Sequence, residues 1–221
     1  MEQLSTYLEI KNENQYNITE DIMKVSDSMS LVIMMKCKDG IVCGADSRST
    51  LNDGNVIKSA KDVNKVFNTD KFIIWTFGIN QVIVNKIING VIYNVRQNIE
   101  DVIIEVLQCS KTIEEFGINF RQKLVNTDTY TFFIGEKDDD IFKMYTAEIN
   151  QKQVVFTECD GNILSTTGAE FSYNNTKCNK ELLCDTAEKI IYMMIENVEN
   201  IQDMLLEYQN IAGPIIIKKI K

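Results

Sequence analysis

A chain of 221 residues suits one domain, and at this length roughly 70% of the unfolded surface can be buried, so a core needs neither disulfides nor a metal. The formal charge of −9, from 23 basic and 32 acidic residues, argues against a nucleic-acid partner, which needs clustered Lys and Arg; no apolar run approaches a membrane span. There are no histidines, which removes Ser-His and Cys-His nucleophile pairs and His-bearing zinc sites.

Residues 1–29 are polar and weakly periodic and read as an extension laid on a surface or partly disordered. They lack a basic segment followed by an apolar stretch, so they do not read as a secretory signal. From Leu31 the pattern changes. LVIMMKC, then Lys38-Asp39-Gly40, then IVCGAD predicts two strands joined by a tight turn, with the Asp-Gly supplying a positive φ. Arg48 to Asn55 reads as a loop, punctuated by Asn52, Asp53 and Gly54. VIKSAKDVNKVF reads as extended, and KFIIWTF as a buried strand ended by Gly78.

From Ile79 to Val95 the apolar residues Ile79, Val82, Ile83, Ile87, Val91 and Val95 recur at three- and four-residue steps and predict a helix. A second helix is expected over Ile113–Leu124. The runs TYTFFIG, IFKMYTAE, QVVFTE and ILSTTG predict strands. A long helix follows over Leu182–Val198, where Leu183, Ala187, Ile190, Ile191, Met194, Ile195 and Val198 form a stripe and Met193-Met194 reads as core filler. The last run, PIIIKKI, is a strand that starts at the only proline. Strands, helices, strands, helices and a final strand do not alternate as in a doubly wound sheet. Two antiparallel sheets face to face with helices outside each satisfy this order, in one α+β domain.

Cys37, Cys43, Cys109, Cys159, Cys178 and Cys184 include no C-x-x-C pair. They read as reduced, mostly buried thiols of a cytoplasmic protein. Glu136 to Asp140 reads as a solvated hairpin turn, lacking the glycine and alternating acids of a calcium loop.

Without histidine, acid–base chemistry falls to Asp, Glu, Lys, Tyr, Cys or a free α-amine. The α-amine titrates near neutral pH at about 7.7–8.0. The informative block runs from Ser30 through the two strands to Asp46-Ser47-Arg48-Ser49-Thr50. It resembles the opening of the proteasome β-subunit family and the related HslV peptidases. Those enzymes begin the mature chain with a nucleophilic threonine, turn tightly, and end the next strand in Ala-Asp-x-Arg-x-Thr, with the same sixteen-position separation as Ser30 and Asp46. The resemblance continues through Asn64-Lys65-Val66 and Phe77-Gly78 and covers most of the chain from about residue 29.

The resemblance implies a four-layer αββα sandwich of the N-terminal nucleophile (Ntn) hydrolase type over residues 30–221, with residues 1–29 as a propeptide-like segment. It implies Ser30 as nucleophile, Lys65 as its electrostatic partner, Asp46 as the carboxylate orienting that lysine, and Gly78 or its neighbour as oxyanion donor. The physical logic is that an N-terminal Ser carries its own base, its α-amine. A nearby ammonium lowers the hydroxyl pKa, and a carboxylate holds that ammonium in place.

The implied activity is hydrolysis of peptide bonds in peptide or unfolded-protein substrates, with no cofactor and no metal. The implied assembly is a homo-oligomer of ring type, with room for an unfoldase partner. The alternative is a catalytically silent homologue acting as a structural or regulatory ring subunit. The 29 residues before Ser30, Met29 directly before it, and Gly168-Ala169-Glu170 and Gln209-Asn210-Ile211-Ala212 where the family has supporting serines and an aspartate favour it; Ser30 in place of threonine implies a slower site, not a dead one. A third reading is an amidase of the same fold acting on a small-molecule amide. Taken singly, Asp46 also reads as a strand-end residue paired with Arg48, and Lys65 as one of a basic group with Lys58, Lys61 and Lys71.

Overall fold

The structure, a computed structural model, describes residues 31–53, 56–76, 81–88, 91–125, 127–165, 182–205 and 213–221. Its elements follow from two sequence periods. Where apolar residues alternate with a period of two on both faces, the chain forms strands that are buried on both sides. Strands β1 (Val32–Cys37) and β2 (Gly40–Ala45) are such a pair. They are joined by Lys38-Asp39, with Cys37 opposite Gly40. The positive φ expected of the turn falls on Gly40, at +155°.

Two antiparallel sheets result. In the first, β12 (Ile163–Ser165), β1, β2 and β13 (Ile216–Ile220) lie side by side in that order. In the second the order is β11 (Val154–Glu158), β10 (Ile141–Ile149), β9 (Tyr130–Asp138), β6 (Phe72–Thr76) and β5 (Val66–Asn68). Two hairpins stand apart from the sheets, β3 (Arg48–Asp53) with β4 (Val56–Asp62), and β7 (Gln81–Ile88) with β8 (Val91–Asn98).

The layers are read from which strand face meets which core. Val32, Met34, Ile41, Cys43 and Ala45 of the first sheet pack between the sheets against Val66, Ile73, Trp75, Phe133 and Met144 of the second. The opposite face of β1 and β2, with Ile33, Met35 and Val42, packs on helix α3 (Cys184–Leu205) through Ala187, Ile191 and Ile195. The outer face of the second sheet, with Phe72, Ile74, Phe132 and Ile134, packs on helices α1 (Ile99–Cys109) and α2 (Ile113–Lys123). This is helix, sheet, sheet, helix: the α+β sandwich expected from the element order. Each fully buried Ile, Val or Phe contributes about 1.5–3 kcal/mol. Close packing of α3 depends on Gly44, since a Cβ there would stand 2.3 Å from Ile191 Cγ2.

Two expectations are corrected. Residues 79–95 do not form a helix; the described part is the hairpin β7–β8, with Ile88 opposite Val91. The apolar spacing fits both periods, but Val82, Ile83, Val84, Ile87, Ile88, Val91, Ile92 and Val95 are β-branched, and Asn89-Gly90, the strongest two-residue hairpin signal, stands between the strands. Val82 and Val84, two positions apart, share the core beneath α1 and α2. Residues 48–53 are a strand rather than a loop, because pairing with β4 outweighs the turn character of Asn52 and Asp53.

Helix α1 has no counterpart among the expected elements, and α3 begins at Cys184 and leaves Leu183 exposed. Of the Met193-Met194 pair on α3, Met194 packs against the core it shares with β1 and β2, whereas Met193 lies on the surface and is not core filler. Cys37, Cys43 and Cys184 are buried free thiols, Cys109 is exposed, and Cys178 lies outside the described residues. Of the acidic run expected as a turn, Asp139 and Asp140 join β9 to β10, whereas Glu136–Asp138 are paired residues at the end of β9. None of the described helices is long and apolar enough to cross a membrane.

Candidate functional site

Strand β2 is apolar throughout until it ends. Ala45 pairs with Val32 on one side and Ile216 on the other, and the next residue is Asp46. A carboxylate here, wholly buried, requires partners. Leu31 supplies one pair of bonds: the Asp46 N–H donates to the Leu31 carbonyl at 3.1 Å, and the Leu31 N–H donates to Asp46 Oδ1 at 2.8 Å. The other oxygen, Oδ2, accepts from Lys65 Nζ at 2.9 Å. Lys65 reaches it from the second sheet, where it immediately precedes β5. One carboxylate therefore ties the start of β1 to the start of β5 across the space between the sheets.

The burial pattern singles out the same place. Among the described residues, the buried polar or charged side chains are Asp46, Ser47, Lys65 and Thr76. Asp46 and Ser47 follow β2, Lys65 precedes β5 and Thr76 ends β6, and the Thr76 N–H donates to the Lys65 carbonyl at 3.4 Å. Everywhere else in the described cores, burial is apolar. Burial holds the Lys65 ammonium below the ordinary lysine range, and the Asp46 charge and hydrogen bond oppose that shift without cancelling it. The site thus contains a desolvated cation that gives up its proton more readily than a surface lysine, fixed by a directional bond.

The sequence places Asp46 and Lys65 nineteen positions apart, and the structure brings them into contact. Ser30 and Gly78 lie outside the described residues, as do 168–170 and 209–212. Leu31, whose nitrogen is the peptide nitrogen following Ser30 in the chain, is bonded to Asp46 through both its N–H and its carbonyl.

Two further residues at the site were not singled out by sequence. Ser47 Oγ is buried and has no hydrogen-bond partner among the described residues. It faces Gly213, where a Cβ would come within 2.5 Å of Ser47 Oγ and 2.6 Å of Asp62 Oδ1. With φ at +89°, Gly213 is required both by its backbone and by this approach. The one available signal for Ser47 was its place beside Asp46. Among the described residues, no three His, Cys, Asp or Glu side chains stand close enough to hold a metal ion.

No protein-family model matches the sequence. No curated protein matches it either. Among solved structures, the chain is similar to Anbu, in a mutant described as Gly-1, from Hyphomicrobium sp. strain MC1. The TM-score is 0.49 and the sequence identity 10%, over 85% of this chain and 80% of that one.

Proposed function

We propose that this protein is a proteasome-like peptidase subunit, hydrolysing peptide bonds through an N-terminal serine. The observation that supports it best is the buried link from the Leu31 N–H through the Asp46 carboxylate to the Lys65 ammonium, in a chain with no histidine. In this reading the chain is cut before Ser30. The freed α-amine takes the hydroxyl proton, Ser30 Oγ attacks the peptide carbonyl, and the amine returns the proton to the leaving nitrogen. Lys65 supplies the positive charge that lowers the hydroxyl pKa, Asp46 holds Lys65, and the backbone N–H near Gly78 stabilises the oxyanion. Water then releases the acyl group from Ser30. No metal or cofactor enters these steps.

The proposed substrates are peptides or unfolded proteins, and the proposed assembly is a closed homo-oligomeric ring in the cytoplasm, fed by an unfoldase. A closed ring needs a heterologous interface that returns on itself. The second reading is a silent ring subunit. What favours it is chemical: while residues 1–29 remain, the Ser30 nitrogen is an amide and cannot serve as a base.

The test is protein whose first residue is Ser30, exposed to a β-lactone probe and to fluorogenic peptides, with folding checked by circular dichroism. The expected result is one probe adduct on Ser30, absent in Ser30→Ala. Folded protein with a free Ser30 amine and no adduct would leave the silent subunit as the function.

A further inference from the structure

Lys65 sits in a strap between β4 and β5, and its backbone is held on both sides. On the near side, the Asn64 N–H donates to Glu100 Oε1 at 3.0 Å. On the far side, the Val66 N–H donates to Asn64 Oδ1 at 3.3 Å, closing a local turn around Lys65. The Lys65 carbonyl accepts from Thr76. Glu100 lies in the first turn of α1, in the helix layer outside the second sheet, thirty-six positions from Asn64. The N-cap residue Asn98 makes no side-chain cap bond, and the Glu100 carboxylate reaches out of its own helix to the strap.

We infer that Glu100 is a positioning residue for Lys65: its carboxylate oxygen anchors the Asn64 N–H and so sets where the ammonium meets Asp46. The catalytic part of this inference rests on the peptidase reading, whereas the anchoring part does not. Glu100 works here as a hydrogen-bond acceptor to a backbone donor. A first-turn acid acting only through its charge on the helix terminus would lose its effect equally in Gln and Ala variants. An acceptor keeps its function in Gln, which retains the oxygen, and loses it in Ala. That difference separates the two roles.

The experiment uses the full chain and pulses of acetic anhydride over a range of pH, with each lysine read by peptide mass mapping and exposed Lys71 as the internal reference. In the wild type, buried Lys65 reacts slowly. In Glu100→Ala its rate relative to Lys71 rises about tenfold, the scale of losing one hydrogen bond to a charged group. In Glu100→Gln it stays within about threefold of the wild type. Asn64→Ala, which removes only the inner turn, moves Lys65 in the same direction by less. If Glu100→Ala fails to fold, Glu100→Gln and Asn64→Ala decide.

A Lys65 rate in Glu100→Ala equal to the wild type, a Glu100→Gln rate as fast as that of Glu100→Ala, or an unchanged Asn64→Ala overturns the inference. A second arm measures β-lactone labelling with Ser30 as first residue. There Glu100→Ala slows labelling by about tenfold or more and shifts its pH profile, and Glu100→Gln restores most of the rate. If the wild type itself does not label, the peptidase reading falls, and the Lys65 arm still decides whether Glu100 anchors the strap.

Discussion

The two ends of the sandwich carry opposite kinds of charge pair. At one end the pair of Lys65 with Asp46 is almost wholly dry, with side-chain exposures of 7% and 0%. At the other, Lys219 and Lys221 meet Asp185, Glu188 and Asp39 in a network open to water, with Asp185 at 70% exposure. In the exposed network, hydrogen bonds from the two lysines hold the Asp185 carboxyl down to about 2, and Lys219 is raised by the reciprocal bonds to Glu188 and Asp185. In the buried pair the order of causes is reversed. Desolvation dominates, and the lysine is lowered although an acid touches it. The exposed pairs are what surface geometry permits. The dry pair opposes folding unless its geometry is kept.

The largest expected effect breaks the dry pair on one side. Asp46→Ala leaves a buried ammonium without its acid and frees the Leu31 N–H, and should cost about 3–5 kcal/mol in urea unfolding. A loss no larger than that of a surface substitution would contradict the burial argument. Removing both charges sharpens the point. Asp46→Asn with Lys65→Met keeps an acceptor for Leu31 and should recover most of that stability, while β-lactone labelling stays absent.

The next contrast is in pH. Burial pushes the Cys37 thiol, beneath the exposed network, from its ordinary 9.0 up to about 11; the Cys184 thiol bonded to it opposes this and the Asp39 charge adds to it. Between pH 9 and about 11 the unfolded thiol has lost its proton and the folded one has kept it. The folded state then binds more protons, and stability falls as pH rises. Lys65 works in the opposite sense: above its lowered pKa the unfolded chain holds the extra proton, so its contribution rises with pH up to the ordinary lysine range. Cys37→Ala should therefore flatten the alkaline fall in unfolding free energy, and Lys65→Met should steepen it.

The smallest effect is expected at the surface. Lys219→Ala should leave the urea midpoint unchanged at physiological salt, with a slight shift at low ionic strength that disappears as salt is added. A salt-independent loss would show that the outer network carries more than its exposure allows.

Much of the fold could be read from local pattern. Alternation in LVIMMKC and IVCGAD assigns one face of each strand to α3 and the other to the space between the sheets. The helix at Ile113–Lys123 is marked by its apolar stripe and by Thr112, whose hydroxyl accepts the Glu115 N–H at 3.2 Å. Local pattern failed where two periods fit the same residues. Over 79–95 apolar steps of three and four coexist with β-branching, and the cross-strand partner that settles the choice is three to seventeen positions away from its mate. It failed again at Arg48–Asp53, where turn-forming residues sit inside a paired strand.

At the site, composition and spacing went as far as residue identity. The absence of histidine narrowed the chemistry, and the order Ser30, Asp46, Lys65 marked the candidates. Spacing along the chain carries no information on whether a carboxylate at the end of one sheet and an ammonium at the start of another meet, since that depends on how the two sheets stack. Nor does it show Glu100, which reaches the strap from a different layer, or Gly213, which closes over Ser47 only once β13 has docked beside β2. Sequence determined which groups were available and which strand faces were apolar, because those follow from side-chain chemistry and a short repeat. The tertiary structure alone decided which of those groups lose their water together, because desolvation is a property of the assembled layers.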